Sequence, residues 1–364
     1  MSVLVNGLPQ IVDYDNFTEY YSQYYDCIKE YLQNEKYDKA MKVVGKISYK
    51  MFYWGRKEDI IDLLNTFPIA SLDEYTRNEI LYYRLFSYLF IFSEKETGTW
   101  NDVFRKINES SDINFNQLIR FRNLEGIFSR LFSKDIEKAI SIHKEAIEVI
   151  IGYNGITNSL KTLLSLNYQN LALCYYEMRK TKEADEFLAL AEKALKENPN
   201  CEPYKFARLY FYRAQLKYEA EADDMQWVPY IKILSEDYLD KYFFPDIERL
   251  LNNFLGRIEL KEKNINNYFA FKQNALNCDF CLYHEYFIAD FLDIAKQIKK
   301  YKTDYKEELI NGLNPIIALL ELYELEDEKL FLNHISSYLK GETINADSKI
   351  SNESLERLLN ETIR

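Results

Sequence analysis

The sequence predicts an all-α protein made of antiparallel helix pairs, and three observations carry that expectation. First, breakers are scarce: 364 residues contain only 10 glycines and 7 prolines. Sheet proteins need many turns, and turns draw on these residue types, so scarcity favours long helices joined by short loops. Second, apolar and aromatic residues recur at the i, i+3, i+4, i+7 spacing of one helix face. Third, small residues recur inside paired stretches at a nearly fixed interval. Ala172 and Ala191, like Gly256 and Ala275, lie 19 residues apart, and Gly126 and Ala146 lie 20 apart. Two helices of a hairpin approach closely only where bulky side chains are missing.

Taken in order, residues 1–15 carry the one strand-like run, with an Asn6-Gly7 turn signal, and are expected to form an extended arm. From Thr18 to Leu32 a stripe passes through Tyr21, Tyr24, Tyr25, Ile28, Tyr31 and Leu32. Gln33 to Lys36 form a polar break, and Tyr37, Ala40, Val43, Val44 and Ile47 begin a second stripe. Ser71-Leu72-Asp73-Glu74 looks like a capping box ahead of a helix reaching Phe92. Helix, turn, helix then repeats over 122–147, 167–195 and 252–276. Segments 204–219, 227–241, 282–300 and 305–323 also read as helices. Asn345 to Ser351 is a polar linker before a last short helix ending at Thr362. The expected divisions are the arm (1–15), N-terminal hairpins (16–115), the better-formed repeats (116–340), and the linker with its helix (341–364).

Composition narrows the function classes. The apolar fraction of 47% supplies a substantial core, and 31 tyrosines with 23 phenylalanines suit a thin core with much surface, where a tyrosine buries its ring and wets its hydroxyl. The net charge of −12 and the lack of a basic block argue against nucleic acid as a direct partner. No run of 18 apolar residues suggests a membrane span, and Met1 to Phe17 lack the features of a signal peptide. Five cysteines, an odd and sparse set, fit reduced thiols in a cytoplasmic protein.

The repeated stretches resemble tetratricopeptide repeats, whose first helix carries a Leu–small pair and an aromatic and whose second carries Ala, Leu or aromatic, Ala. In 168–191 the matching residues are Tyr168, Leu171, Ala172, Tyr175, Ala184, Leu188 and Ala191, with Pro199 a few residues later than usual. The 252–276 unit keeps Leu255, Gly256 and Ala275 but has Tyr268 at a position usually small. The 122–147 unit keeps Ala139 and Ala146 around a longer turn, and the first unit retains Tyr31 and Ala40. The resemblance implies a right-handed α-solenoid whose first helices line a concave groove for a protein or a short peptide. On that implication Asn123, Asn170 and Asn253 face a ligand backbone, beside Tyr168, with Arg120, Arg122, Lys205 and Arg208 placed to meet a carboxylate. The competing reading makes them ordinary polar residues on a wet face.

The chain is similar to two bacterial groups in particular: the Rap-type peptide-sensing regulators, and the helical sensor arms of signal-transducing ATPases, which the stretch Tyr37 to Pro68 resembles. A non-catalytic regulator or adaptor is therefore expected, with no cofactor. The alternative is a structural subunit of a larger bacterial or phage assembly, defence-related or otherwise, as a homodimer or within a hetero-complex.

Catalytic chemistry has little footing. Cys278-Asp279-Phe280-Cys281 with His284 is the sharpest ligand-like cluster, yet a structural zinc needs a fourth ligand and no second pair exists. Two thiols packed at a helix boundary explain it as well. His143, His284 and His334 stand far apart, with His143 reading as a packing residue, so no triad is expected. Glu219, Glu221, Asp223 and Asp224 read as solvated surface, and neither phosphate-binding glycine motif occurs. Trp54-Gly55-Arg56 reads as a hairpin turn with the tryptophan as a core wedge.

Overall fold

The computed structural model describes residues 14–363 apart from 54–56, 89–96, 110–112, 221–224, 243, 280–283, 344–348 and 352. Among them every regular element is helical: α1 (Tyr14–Gln33), α2 (Tyr37–Tyr53), α3 (Lys57–Asn65), α4 (Glu74–Tyr88), α5 (Thr97–Glu109), α6 (Phe115–Leu131), α7 (Ile136–Ile151), α8 (Asn158–Glu177), α9 (Thr181–Lys196), α10 (Pro203–Ala220), α11 (Val228–Ile233), α12 (Pro245–Lys261), α13 (Ile265–Asp279), α14 (His284–Tyr301), α15 (Lys306–Leu322), α16 (Glu326–Lys340) and α17 (Glu353–Ile363). A 3₁₀ turn covers Ile69–Ser71, and a π-helical turn, Leu234–Leu239, follows α11 directly. Most of the expected arm lies outside the described residues, as does Trp54-Gly55-Arg56, while Tyr14 and Asp15 already belong to α1. Contacts divide the chain into two compact units, one of residues 1–52 and 56–243, the other of 53–55 and 244–364. That boundary falls inside the 116–340 span marked out from sequence.

Four interhelical turns share one geometry. Each has three residues, and the middle one is left-handed: Glu35 (φ 57°), Arg179 (φ 59°), Lys263 (φ 60°) and Glu324 (φ 58°). The next amide donates back to the carbonyl five residues earlier, as from Lys36 to Tyr31 (2.8 Å), Lys180 to Tyr175 (2.9 Å), Asn264 to Glu259 (2.9 Å) and Leu325 to Leu320 (3.0 Å). This is the Schellman closure of a helix C-terminus. Charged residues stand where glycine is usual, so a chain poor in glycine still turns tightly. The α6–α7 turn is one residue longer and uses Lys134 (φ 55°). The turn before α4 departs from expectation. Asp73, not Ser71, caps the helix, accepting from the Thr76 amide (2.8 Å) and hydroxyl (2.9 Å), because Ser71 is held in the 3₁₀ turn.

In the first unit, α8 packs along α9, α6 along α7, and α8 also meets both α6 and α7. Contacts near both ends show that α6 and α8 run parallel: Asn116 bonds Ser159 (3.1 Å) and Arg130 bonds Glu177. Similarly, Tyr82 on α4 packs edge-on against Phe121 on α6, and Glu79 accepts from Gln117 and Arg120. Tyr176 on α8 donates to Glu219 on α10. Successive first helices thus meet at spacings of about 40 to 47 residues. Ala139, Ala146, Ala172, Ala184 and Ala191 are all fully buried at the close approaches that small side chains permit. Gly126 is more demanding: a Cβ there would overlap the His143 ring, 2.9 Å from Cδ2 and closer still to Nε2.

In the second unit α12 packs along α13, α13 along α15, α15 along α16, and α17 closes against α14 and α16. Phe291, Ile294, Leu313, Phe331, Leu332 and Leu355 form its core. Phe269 of α13 crosses α15 at Gly312, where a Cβ would lie 2.7 Å from the phenylalanine Cβ and nearer its ring. Gly256, by contrast, makes ordinary contacts, its nearest neighbour being Phe271 at 3.4 Å. Among the described residues no helix is long and apolar enough to cross a membrane.

Candidate functional site

Seven of the eight residues singled out from sequence lie on three first helices of the first unit. Arg120, Arg122 and Asn123 are on α6, Tyr168 and Asn170 on α8, and Lys205 and Arg208 on α10. Asn253 lies on α12 in the second unit. Most of the cations already serve internal pairs. Arg120 donates from Nη1 to both carboxylate oxygens of Glu79 (2.7 Å each) and stacks 3.7 Å over the Tyr82 ring, bracketing α4 to α6. The carboxylate it meets is therefore the chain's own. Arg122 reaches Glu125 and Glu145 at 3.4 Å, and Lys205 pairs with Glu202 at 2.9 Å. Arg208 donates from Nε to the Tyr212 hydroxyl (3.0 Å). Tyr168 stacks on Phe187 of α9, and burial raises its pKa.

The three asparagines differ. Asn253 accepts from Lys272 Nζ (2.6 Å) and is committed to that bond. Asn123 and Asn170 are 6% and 5% exposed, and among the described residues neither carboxamide makes a hydrogen bond. A buried amide with no partner costs on the order of 1–3 kcal/mol, so native chains seldom leave one. The Nδ2 of Asn123 is shut off from solvent, whereas both polar atoms of Asn170 retain some access. The two residues lie on the neighbouring helices α6 and α8.

A buried polar junction joins α7 to α8. His143 Nδ1 bonds Asn167 Oδ1 (2.9 Å), and Asn167 Nδ2 donates to the Leu163 carbonyl (2.8 Å). The ring fills the notch over Gly126, and its Nε2 is buried without a partner. Burial lowers the His143 pKa to about 4, so the imidazole is neutral. Cys174 is also buried, which pushes its thiol up to about 11 and leaves it unreactive.

Sequence reasoning passed over a second cluster, in the second unit. Lys272, 3% exposed, bonds Asp290 (2.8 Å), Asp293 (2.7 Å) and Asn253, and Asp290 also accepts from Arg249 (2.9 Å). Tyr268 donates to Asp293 (3.2 Å). Among the described residues it joins two cations to two carboxylates, with partners 18 to 41 residues apart on three helices. Only the tertiary fold reveals such a network. Cys278 is buried in the last turn of α13, Cys281 and the side chain of His284 fall outside the described residues, and no group of three metal-ligating side chains occurs among those described.

No protein family, curated protein or solved structure matches this chain in comparisons of sequence and fold.

Proposed function

We propose that this chain is a non-catalytic regulator or adaptor. Its first unit would be a right-handed, tetratricopeptide-like solenoid, and the first helices α6, α8 and α10 would hold an extended peptide or a segment of another protein. The observation that carries the reading is Asn170. Its carboxamide sits on a 5% exposed residue, has no hydrogen-bond partner among the described residues and keeps some solvent access, on the first helix of the hairpin that best fits the repeat pattern. A peptide backbone offers the N–H and C=O that this group lacks. The repeated turn geometry and the parallel register of successive first helices support the solenoid. The cations stay mostly with internal partners, which makes backbone recognition the better account than carboxylate capture.

A displayed library of random peptides, selected on the purified chain, tests the reading. Binders should emerge whose affinity falls at least tenfold on Asn170→Ala while far-UV circular dichroism is unchanged. Failure to enrich any sequence, or equal binding by the variant, contradicts it. One observation favours the structural-subunit alternative: Val149, Ile151, Tyr153 and Ile156 expose apolar surface around the α7–α8 connection. Light scattering across a concentration series separates the two, since assembly through that surface would make the mass concentration-dependent and sensitive to Ile151→Lys.

A further inference from the structure

Where α5 packs against α6, a small recess opens to solvent. About 10 Å³ of it is open to the centre of a water-sized group, so it holds one such group and nothing larger. Four rings form its apolar wall. Phe128 stands at their middle, with ring centres 5.2 Å from Trp100, 5.5 Å from Phe104 and 4.9 Å from Phe132. Asn101, Glu125, Ser129 and Ser133 complete the lining, and none of the lining residues is cationic. Ser129 is 4% exposed, yet its hydroxyl has no hydrogen-bond partner among the described residues and keeps some access. The Glu125 side chain is 12% exposed, and Arg122, shared with Glu145, approaches its carboxylate to 3.4 Å. One cation set between two carboxylates leaves this part of α6 negative.

We infer that this recess binds a single primary ammonium group, carried by a lysine side chain or by a small free amine. The site is independent of Asn170 and of the peptide-binding reading. An –NH₃⁺ head matches a water molecule in size, whereas a planar guanidinium or a trimethylammonium head is too large for the space. The head has three donors and no acceptor. The Ser129 hydroxyl, the Glu125 carboxylate and the Asn101 amide oxygen are acceptors, and the rings offer π faces that attract a cation. Water would fill the same space without using the charge of Glu125, and an anion would be repelled by it. A bare metal ion needs a full shell of oxygen ligands, which a wall half made of rings does not supply.

Nuclear magnetic resonance shifts of the Trp100 indole N–H and the Ser129 amide, followed in the full chain, test the site. The probe is n-butylammonium, with n-butanol, tetramethylammonium and acetate as controls at one ionic strength. Butylammonium should shift both signals saturably, and its binding should weaken at least fivefold in Glu125→Gln. Butanol and acetate should leave the signals unmoved, and tetramethylammonium should bind at least fivefold more weakly than butylammonium. Asn101→Lys, at an exposed position on the rim, should supply a tethered ammonium and remove the response with helicity unchanged, which keeps the test decisive if Glu125→Gln does not fold. No response to butylammonium, an equal response to butanol or tetramethylammonium, or shifts that survive in either folded variant would overturn the site. Two further probes separate the sources of the group. Tighter binding of Nα-acetyl-lysine N-methylamide than of methylammonium assigns a lysine side chain of a partner, and equal binding assigns a free amine.

Discussion

At the scale of single residues, His143 shows how closely this interior is fitted. The imidazole occupies the room that Gly126 leaves and donates one hydrogen bond, from Nδ1 to the Asn167 amide oxygen. Because its pKa falls from 6.5 to about 4 on folding, the unfolded chain binds more protons than the native one between those values. Stability contributed by the neutral ring is therefore complete above pH 6.5 and drains away as the pH falls toward 4, by roughly 3 kcal/mol in all. Urea midpoints at pH 7.5 and 5.0 should differ more for the wild type than for His143→Gln; equal differences would count against a buried neutral imidazole here. The sequence already marked His143 as a packing residue. It could not show that the glycine 17 positions earlier makes the space, because that depends on where α6 crosses α7. Arg120 carries the same lesson. Its residue type promised a carboxylate partner, and it has one, but Glu79 lies 41 residues upstream on α4.

Among elements, the hairpins were the most legible part of the chain. The polar break at Gln33 to Lys36 and the turn expected within 167–195 separate stripes of helical period, and the observed turns fall there. Two helices, α5 and α16, were not singled out beforehand, and the cap of α4 sits two residues later than its sequence pattern suggested. What the sequence hid was the left-handed residue at the centre of each turn, since glycine, its usual signal, is missing. A non-glycine residue in that conformation is strained. Arg179 is exposed and left-handed, so Arg179→Gly should raise stability by roughly 0.5 kcal/mol, the relief exceeding glycine's added freedom in the unfolded chain. A chemical-denaturation midpoint that drops instead would refute this account of the turns. The α12–α13–α14 cluster responds in the opposite sense. Lys272→Met would remove the cation that buried Asp290 shares with the part-exposed Asp293, leaving Asp290 with Arg249 as its cation among the described residues. Unfolding free energy should fall by about 3–5 kcal/mol, read from urea melts. A loss below about 1 kcal/mol would mean that water screens the site.

At the scale of the whole molecule, one device recurs in both units: a helix pair closed by a three-residue turn, seen at α1–α2, α8–α9, α12–α13 and α15–α16. Small residues made this visible in advance around 167–195, where Ala172, Ala184 and Ala191 are all buried as expected. The alternation of first and second helices was less visible elsewhere because Gly126 accommodates a histidine ring, and Gly256 meets only ordinary contacts. Of the proposed binding residues, Asn170 has no hydrogen-bond partner among the described residues, while Arg120, Arg122, Lys205 and Asn253 are engaged with the chain itself. That contrast separates backbone recognition from charge recognition, and it can be measured.

The most direct measurement is calorimetric titration of a selected peptide and its singly N-methylated analogues into the wild type and Asn170→Ala. If Asn170 holds a backbone amide, one methylation site should cost about tenfold in affinity, near 1.4 kcal/mol, on the wild type and almost nothing on the variant. Identical losses in the two proteins at every position would contradict that account.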